Sequence, residues 1–267
     1  MRKQGSIPIA LTIAGSDSGG GAGIQADLKT FAALGVHGVS AVTCLTAQNP
    51  KRVRGIRPCS PEFLRLQLAA VFDELRPAAA KTGMMCSAAL IRAVAGFLLG
   101  QPRLPLVVDP VMVSTSGTRL LDPQAVKVLC AELLPLATLV TPNLAEAEVL
   151  TGKPLRSVED MRAAAKELHR RFGCAALVKG GHLRGHKEAV DIFCDGKQEL
   201  ILSARFIHAG KTHGTGCTYS AAIAGNLSQG RRLARAVSLA KEFVTQAIAG
   251  SRLAGRHSVL GDERVQN

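Results

Sequence analysis

The sequence predicts a three-layer α/β/α domain with a doubly wound, mostly parallel central sheet. Short apolar or β-branched runs alternate with longer stretches of helical periodicity along the whole chain. Several of these runs are apolar throughout, which is typical of strands buried on both faces of a parallel sheet. The chain has 267 residues and 47% hydrophobic residues, enough for one large core. We therefore expect one domain over residues 1–267, with a flexible tail at about 255–267.

Eight runs are predicted as strands, and helices fill the intervals between them. In chain order the strands are 7–14, 39–45, 78–82, 106–109, 138–141, 175–179, 189–194 and 199–207. Ser60, Asp122 and Ser157 are predicted N-caps, and the first two precede a proline at the first helical position. The last two helices, about 216–228 and 231–252, have no strand between them. Because such folds bind ligands at the carboxyl ends of their strands, the residues after each strand are the candidate site.

Charge and composition limit the classes of partner. The chain carries 33 Lys and Arg against 20 Asp and Glu, a net charge of +13, which suits an anionic ligand such as a phosphate ester. Aromatic residues make up only 3%, with one Tyr and no Trp. The chain therefore has very few aromatic side chains on which nucleic-acid bases could stack. Nucleic-acid binding is therefore not expected as the main function. No apolar run reaches the roughly 18–20 residues of a membrane helix, so no membrane association is expected either.

The cysteines and the N-terminus indicate a cytoplasmic protein. Seven cysteines occur at long spacings without a C-x-x-C pair, which predicts neither a disulfide framework nor a zinc site. Arg2 and Lys3 followed by the apolar run 7–14 imitate a secretory leader. Pro8 interrupts that run, and the run continues directly into a glycine-rich loop, as a first strand would.

The loop after the first strand is rich in glycine. Gly21, Gly23 and Ala26 fit the dinucleotide fingerprint loosely, but no carboxylate occurs at 41–47 to reach a ribose. A P-loop is also absent, because Gly210-Lys211-Thr212 has Arg where the motif requires its first glycine. A flexible turn capped by a helix at 22–34 would explain the glycines. Gln25 and Asp27 near that helix start favour a small-ligand site instead.

Polar residues also follow the fourth and fifth strands. Asp109 is either a magnesium or water ligand or an ordinary loop aspartate, and 114–118 has the small polar residues of a mobile flap. Asn143 and Glu146 have the spacing of a capping box. The same spacing would let the amide and the carboxylate hold a hydrated cation, and the two interpretations are compatible.

After the sixth strand, Lys179 is followed by Gly180 and Gly181, which suits a phosphate because ammonium and backbone can both approach it. His182 and His186 are four residues apart, but an intervening glycine argues against a helical zinc pair.

The segment 212–220 is the most informative part of the sequence. Gly214, Thr215 and Gly216 would let backbone N–H groups converge at a helix N-terminus, where an anion is stabilised. Cys217 would lie in the first turn of that helix, where we expect its pKa to fall below the usual value of about 8.5. Such a thiol could accept a proton from a hydroxyl. The alternative is a buried structural cysteine.

Taken together these segments resemble a known family. The segments 14–31, 109–112, 141–146, 179–182 and 213–218 closely resemble those of the bacterial hydroxymethylpyrimidine/phosphomethylpyrimidine kinases of thiamine biosynthesis, within the ribokinase-like superfamily. The similarity runs in order from about residue 6 to residue 250.

The resemblance implies a role for each matching residue. Gly15, Asp27, Gln48, Met84 and Val111 would line a pyrimidine pocket, with Asp27 and Gln48 hydrogen-bonded to the amino-pyrimidine edge and Met84 packed on the ring.

The phosphate side follows in the same way. Asp109, Asn143 and Glu146 would organise Mg²⁺ at the phosphates of ATP, and Lys179 and Thr212 would approach the nucleotide. Residues 214–217 would form the anion hole, with Cys217 where sugar kinases of the superfamily place an aspartate base. The resemblance further implies two successive phosphorylations and a homodimer, and it leaves a monovalent cation open.

Two alternatives stay open at this point. A pyridoxal or pyridoxine kinase would share the fold and act on a similar hydroxymethyl heteroaromatic compound, although the absence of cysteine from 114–117 favours the pyrimidine. A non-catalytic pyrimidine sensor would keep the pocket but not the chemistry. The joint presence of Asp109, Lys179, Gly214, Gly216 and Cys217 argues against it.

Overall fold

The computed structural model describes residues 6–113, 120–181, 183, 188–207 and 213–261. The predicted flap at 114–118, Thr212, His182 and His186 lie outside the described residues.

The strands are β1 (Ile9–Asp17), β2 (His37–Asn49), β3 (Arg52–Pro58), β4 (Ala79–Thr82), β5 (Leu106–Val108), β6 (Leu139–Val140), β7 (Ala175–Lys179), β8 (Glu188–Cys194), β9 (Glu199–Arg205), β10 (Arg252–Ala254) and β11 (His257–Val259). The helices are α1 (Gly23–Ala33), α2 (Pro61–Glu74), α3 (Ala88–Leu99), α4 (Pro123–Val128), α5 (Leu144–Thr151), α6 (Val158–Phe172), α7 (Thr215–Ser228) and α8 (Leu233–Ala249). A π-helical turn (Leu129–Leu133) and a 3₁₀ turn (Leu134–Leu136) continue α4.

The central sheet confirms the predicted fold class. Nine strands are joined in the order β3-β2-β1-β4-β5-β6-β7-β8-β9. Every pairing from β2 through β7 is parallel, whereas β3, β8 and β9 pair antiparallel at the two edges. The carboxyl ends of β1, β5, β6 and β7 therefore lie along one edge of the sheet.

Helices cover both faces of this sheet, as apolar strands require. On β1, Leu11 and Ile13 belong to a core that includes side chains of α2 to α6. Ala10, which precedes Leu11 and faces the opposite side of the sheet, belongs to a second core with Phe31 of α1 and with residues of α7 and α8. The glycine-rich loop and the N-terminus of α7 are therefore carried by the same helical layer.

The predicted helix starts at Ser60, Asp122 and Ser157 are confirmed. The Ser60 side chain accepts the N–H of Phe63, and the Asp122 side chain accepts that of Ala125. Ser157 forms a reciprocal capping box with Asp160.

One sheet edge and the C-terminal region differ from the prediction. Strand β3 was not predicted, because it contains three arginines, a glycine and a terminal proline; such a composition is tolerated at an exposed sheet edge. Helix α8 ends at Ala249 rather than near 252, and β10 and β11 form a hairpin after it. The tail predicted from residue 255 thus begins in folded chain, since Gly261 N–H donates to Ala247 O.

Within the described residues, no helix combines the length and the apolar character needed to cross a membrane.

Candidate active site

The loop after β1 is folded around the side chain of Asp17. Its Oδ1 accepts the N–H of Gly19 at 2.8 Å, and its Oδ2 accepts those of Gly21 and Ala22 at 3.2 and 2.9 Å. Burial raises the pKa of Asp17, but its hydrogen bonds to His213 and to backbone N–H groups outweigh burial and lower it. The carboxylate therefore stays ionised, and the loop is a fixed structure rather than a flexible turn.

Glycine is required where this loop meets β1 and α7. Gly23 has a φ of +57°, and a Cβ there would overlap the carbonyl oxygen of Gly15. Gly214 has a φ of +86°, and a Cβ there would overlap the carbonyl oxygen of Gly21. The start of α7 is thus in backbone contact with the glycine-rich loop.

His213 joins three parts of the site. Its Nε2 lies 3.1 Å from Asp17 Oδ2 and 2.9 Å from Gln48 Nε2. The imidazole therefore connects the β1 loop, the end of β2 and the start of α7.

Four of the five predicted pocket residues lie near the carboxyl ends of neighbouring strands: Gly15 on β1, Gln48 on β2, Met84 after β4 and Val111 after β5. A Cβ at Gly15 would lie 2.8 Å from Cys44 Sγ and 3.5 Å from Met84 Sδ, so Gly15 and Met84 are neighbours. Gln48 is half-buried against His213. Val111 has a φ of +41°, a left-handed conformation that is strained for a β-branched residue.

Asp27, the fifth predicted pocket residue, is placed differently from the expectation. It has no exposed surface, and Lys81 Nζ donates to both of its carboxylate oxygens at 2.8 Å. Thr12 Oγ1 donates to its Oδ2 at 2.6 Å. The predicted hydrogen bond from Asp27 to a pyrimidine is therefore not available in this conformation. The reason is that position 27 of α1 faces the sheet, where its charge is balanced by Lys81.

Lys81 is equally buried and stays an ammonium. Burial is the largest single influence and lowers its pKa, but the charges of Asp27, Cys217 and Asp109 and the hydrogen bond to Asp27 together outweigh burial and raise it. A full positive charge therefore lies beneath the predicted anion hole.

The acidic residues after β5 and β6 converge on Lys179. Lys179 Nζ donates to Asp109 Oδ1 at 3.0 Å, and Thr141 and Ser220 hydroxyls also donate to Asp109. Burial lowers the pKa of Lys179, but the charges of Asp109 and Glu146 outweigh it and raise it. For Glu146 burial raises the pKa, while Lys179 acts in the opposite direction.

Asn143 and Glu146 form the capping box of α5. Glu146 N–H donates to Asn143 Oδ1 at 2.9 Å, and Asn143 N–H donates to Glu146 Oε2 at 2.9 Å. The other oxygen of Glu146 accepts the N–H of Met112 at 3.2 Å. The capping interpretation is therefore correct, and it leaves Glu146 within the charge field of Asp109 and Lys179.

The donor set fits a hydrated divalent cation rather than an all-protein metal cage. Among the residues the structure describes, no group of three or more His, Cys, Asp or Glu is arranged to hold a metal. Asp109 and Glu146 are two buried carboxyl groups beside one lysine, so the cluster offers the oxygen ligands that a divalent cation prefers. Their oxygens each accept hydrogen bonds from the protein yet have further lone pairs for water.

The N-terminus of α7 faces this cluster. A Cβ at Gly216 would lie 3.4 Å from Lys179 Nζ and 3.8 Å from Asp109 Oδ2. Thr215 is the first residue of the helix, and Gly214 is its N-cap. The predicted anion hole, the lysine and the aspartate thus meet at one place.

The predicted low pKa of Cys217 is wrong. Burial raises the pKa of its thiol to about 11, although the charge of Lys81 acts to lower it. Asp27 and Asp109 add negative charge nearby and support the increase. The helix N-terminus and Lys81 therefore do not compensate for desolvation, and the thiol is protonated at neutral pH.

Three residues of the site were missed from the sequence. Asp17 precedes three glycines and a serine, a turn signal that could have indicated its loop role, and His213 directly precedes the anion hole. Lys81 lies in a strand between two alanines and a threonine, and no local pattern marks it as the partner of a residue 54 positions away.

Comparison with known proteins decides the family. The family model for phosphomethylpyrimidine kinase matches residues 17–260. This match covers most of the chain and includes the site from Asp17 to Cys217. The chain belongs to the phosphomethylpyrimidine kinase family. The resemblance drawn from the sequence motifs is confirmed, and the chain is a phosphotransferase.

Curated members of the phosphomethylpyrimidine kinase family are similar over nearly their full length. The hydroxymethylpyrimidine/phosphomethylpyrimidine kinase of Rhizobium meliloti is 51% identical over 244 residues, which cover 91% of each chain. That of Streptomyces coelicolor is 48% identical over 249 residues, 93% of this chain and 91% of the relative.

Solved structures of the phosphomethylpyrimidine kinase family and of pyridoxal kinases share this fold. Phosphomethylpyrimidine kinase from Clostridium difficile has a TM-score of 0.80 at 42% identity, covering 91% of this chain and 100% of that one. An ADP complex of Bacillus subtilis pyridoxal kinase has a TM-score of 0.89 at 37% identity, covering 97% and 99%.

Proposed function

We propose that this protein uses ATP to phosphorylate 4-amino-5-hydroxymethyl-2-methylpyrimidine, first to the monophosphate and then to the diphosphate. One observation carries the proposal: the N-terminus of α7 lies beside the ion pair of Lys179 and Asp109. In that pair, Lys179 Nζ is 3.0 Å from Asp109 Oδ1. Phosphoryl transfer depends mainly on positioning and charge neutralisation, and this arrangement supplies both.

The phosphate side has two sources of positive potential. The N-terminus of α7, with its positive dipole end, opens toward this region, and Lys179 lies beside Gly216. Charge that develops on the transferring phosphoryl group would be stabilised there. Thr212, two residues before Gly214 in sequence, and Asn143, the N-cap of α5, are included in the nucleotide site we propose.

A divalent cation would be held at Asp109 and Glu146 through water molecules. We assign it to Mg²⁺, which prefers oxygen ligands and keeps several waters. When bound, the cation neutralises phosphate charge; the carboxylates of the chain orient its waters.

We propose that the minor thiolate form of Cys217 receives the proton of the substrate hydroxyl in the first phosphorylation. Its position in the first turn of α7, next to the proposed anion hole, supports this role, and the charge of Lys81 lowers the pKa of the thiol against the larger effect of burial. The second acceptor is a phosphate monoester, whose oxygen is already ionised, so the second step needs no such base.

The pyrimidine would bind over Gly15 and Met84, next to Gln48 and Val111. Gly15 leaves room where a Cβ would meet sulfur atoms, and Met84 offers a polarisable apolar surface for the ring. Gln48 can present an amide to the ring edge while His213 holds it. The left-handed backbone at Val111 supports a functional constraint there.

A pyridoxal kinase is the second candidate, favoured by the high structural similarity to the Bacillus subtilis enzyme. The greater sequence identity to hydroxymethylpyrimidine/phosphomethylpyrimidine kinases supports the first candidate.

The two-step reaction is tested by mass spectrometry of products formed with ATP and Mg²⁺. Hydroxymethylpyrimidine should give both phosphorylated products, and purified monophosphate should give the diphosphate alone. Asp109→Asn, which removes a carboxylate charge beside Lys179, should reduce both steps strongly. If the wild-type protein formed the monophosphate but no diphosphate, the two-step proposal would be contradicted.

We also propose a cytoplasmic homodimer. The seven cysteines are free thiols, which supports a reducing compartment.

The dimer would form through exposed apolar side chains on β2, β3 and α2, namely Leu45, Ile56, Phe63 and Leu66. Helix α2 packs on β2, so these elements are neighbours. Apolar side chains on neighbouring elements favour a protein interface. Sedimentation equilibrium should give twice the chain mass, and Phe63→Ser should shift the equilibrium toward monomer; a wild-type monomer would contradict the dimer.

A further inference from the structure

A further buried ion pair lies behind the phosphate side of the site. Lys241 of α8 donates from Nζ to Asp191 Oδ2 at 2.7 Å, and the two side chains are 10% and 4% exposed. Lys241 Nζ also donates to the carbonyl oxygen of Ala189 at 2.9 Å. Neither residue belongs to the strand ends that carry the site.

The other oxygen of Asp191 holds the backbone where β7 ends. Gly180 N–H donates to Asp191 Oδ1 at 2.9 Å. A side chain at Gly180 is excluded, because its Cβ would overlap the carbonyl oxygen of Val190 and crowd Met161. The chain therefore leaves β7 in one fixed direction, with Asp191 as the acceptor of its first N–H group after the strand.

This hydrogen bond is adjacent to Lys179. The Lys179 N–H donates to Pro142 O, and its side chain donates to Asp109. The backbone of residues 179 and 180 is thus held from two sides, by the β6 end and by Asp191.

The same cluster borders α7. Tyr219 is buried two residues after Cys217; burial raises the pKa of its hydroxyl, with a further contribution from the charge of Asp191. Tyr219 and Lys241 belong to the helices α7 and α8, so the cluster spans both helices, β8 and the end of β7.

We propose that Asp191 is a positioning residue for phosphoryl transfer: by accepting the Gly180 N–H, it fixes the strand end from which Lys179 reaches the nucleotide phosphates. Lys241 orients the Asp191 carboxylate by donating to its other oxygen. The inference rests on the proposed function, since it requires that Lys179 contacts the phosphates of ATP.

The test uses two double variants that both remove the ion pair. Asp191→Asn/Lys241→Met retains an oxygen that accepts the Gly180 N–H, whereas Asp191→Leu/Lys241→Met does not. Replacing both members avoids an unpaired buried charge, which would destabilise the fold. Asp191→Ala/Lys241→Met, with a smaller side chain, replaces the leucine variant if that variant does not fold.

For the leucine variant we expect KM for ATP, and the dissociation constant of a non-hydrolysable ATP analogue, to rise about 5- to 100-fold, as loss of a buried hydrogen-bond acceptor implies. The asparagine variant should stay within about threefold of wild type. In both variants KM for the pyrimidine should be unchanged, a split that a general loss of stability would not produce.

Equal nucleotide binding by the asparagine and leucine variants would overturn the proposal, and so would parallel increases in KM for ATP and for the pyrimidine. Calorimetry with the ATP analogue measures nucleotide binding without a phosphoryl-acceptor substrate. If wild type proves to phosphorylate pyridoxal, the proposed function fails while this comparison still decides the role of Asp191.

Discussion

At the scale of single residues, the site is governed by buried charge. Cys217 lies near Lys81, Asp27 and Asp109, and burial dominates the balance, raising the pKa of the thiol to about 11. At pH 7 only about one thiol in ten thousand is then ionised. A base with a raised pKa makes the rate rise with pH until that pKa is reached.

We therefore expect the first phosphorylation to accelerate about tenfold per pH unit between pH 6.5 and 9.5 if proton transfer to Cys217 limits it. The second phosphorylation should lack this increase. In Cys217→Ala the first step should lose both rate and pH dependence, while the second step loses less. Single-turnover rates with each acceptor measure this; equal losses in both steps would leave Cys217 only a positional role.

Lys81 gives a second prediction at this scale. Lys81→Met leaves the carboxylate of Asp27 buried without its partner, since neither side chain has exposed surface. Removal of one member of a buried pair costs about 3–5 kcal/mol in the free energy of unfolding. Lys153→Met is the matched control, because Lys153 is 69% exposed in its ion pair with Glu167 and should contribute less than about 1 kcal/mol. Urea unfolding compares them, and equal losses would contradict the account.

At the scale of elements, backbone contact between the β1 loop and α7 assembles the site. Gly214 combines a positive φ with a place where a Cβ would overlap Gly21 O, whereas Gly230 has a φ of +85° and open space around it. Gly214 precedes α7 and Gly230 follows it. Because both have a positive φ but only Gly214 is crowded, comparing substitutions at the two positions separates steric overlap from backbone strain.

Gly214→Ala should reduce kcat/KM at least about 100-fold, because displacement of the α7 N-terminus misplaces the anion hole. Gly230→Ala should cost about 1–2 kcal/mol of stability through left-handed strain while leaving the kinetics unchanged. Steady-state assays and thermal unfolding of both variants test the distinction. Comparable kinetic losses would show that strain alone, and not contact with Gly21, explains the effect.

Helices and strands could be predicted where the sequence shows hydrophobic runs of a regular period or an N-cap residue. The parallel strands and the caps at Ser60, Asp122 and Ser157 follow from local patterns. Strand β3 was missed because pairing with β2 overrides its unfavourable composition. The β10–β11 hairpin was missed because its three-residue strands are too short for an alternating pattern.

At the scale of the whole molecule, the order of the strands determines which residues meet. Asp109 and Asn143 follow β5 and β6, and Lys179 ends the adjacent parallel strand β7. Their convergence is therefore predictable once the fold class is known. The enclosure of Asp27 by Lys81 and the position of His213 between Asp17 and Gln48 depend on the depth of packing between layers. A pattern along the chain carries no information on that depth.

The central claim is that this chain phosphorylates hydroxymethylpyrimidine twice at one site. The most direct measurement offers hydroxymethylpyrimidine and pyridoxal separately, with ATP and Mg²⁺, and follows product masses with time. The account predicts the monophosphate and then the diphosphate of the pyrimidine, with pyridoxal turned over poorly. Pyridoxal phosphate as the main product would contradict it and assign the chain the pyridoxal specificity of its structural neighbours, and no product from either compound would contradict the kinase assignment itself.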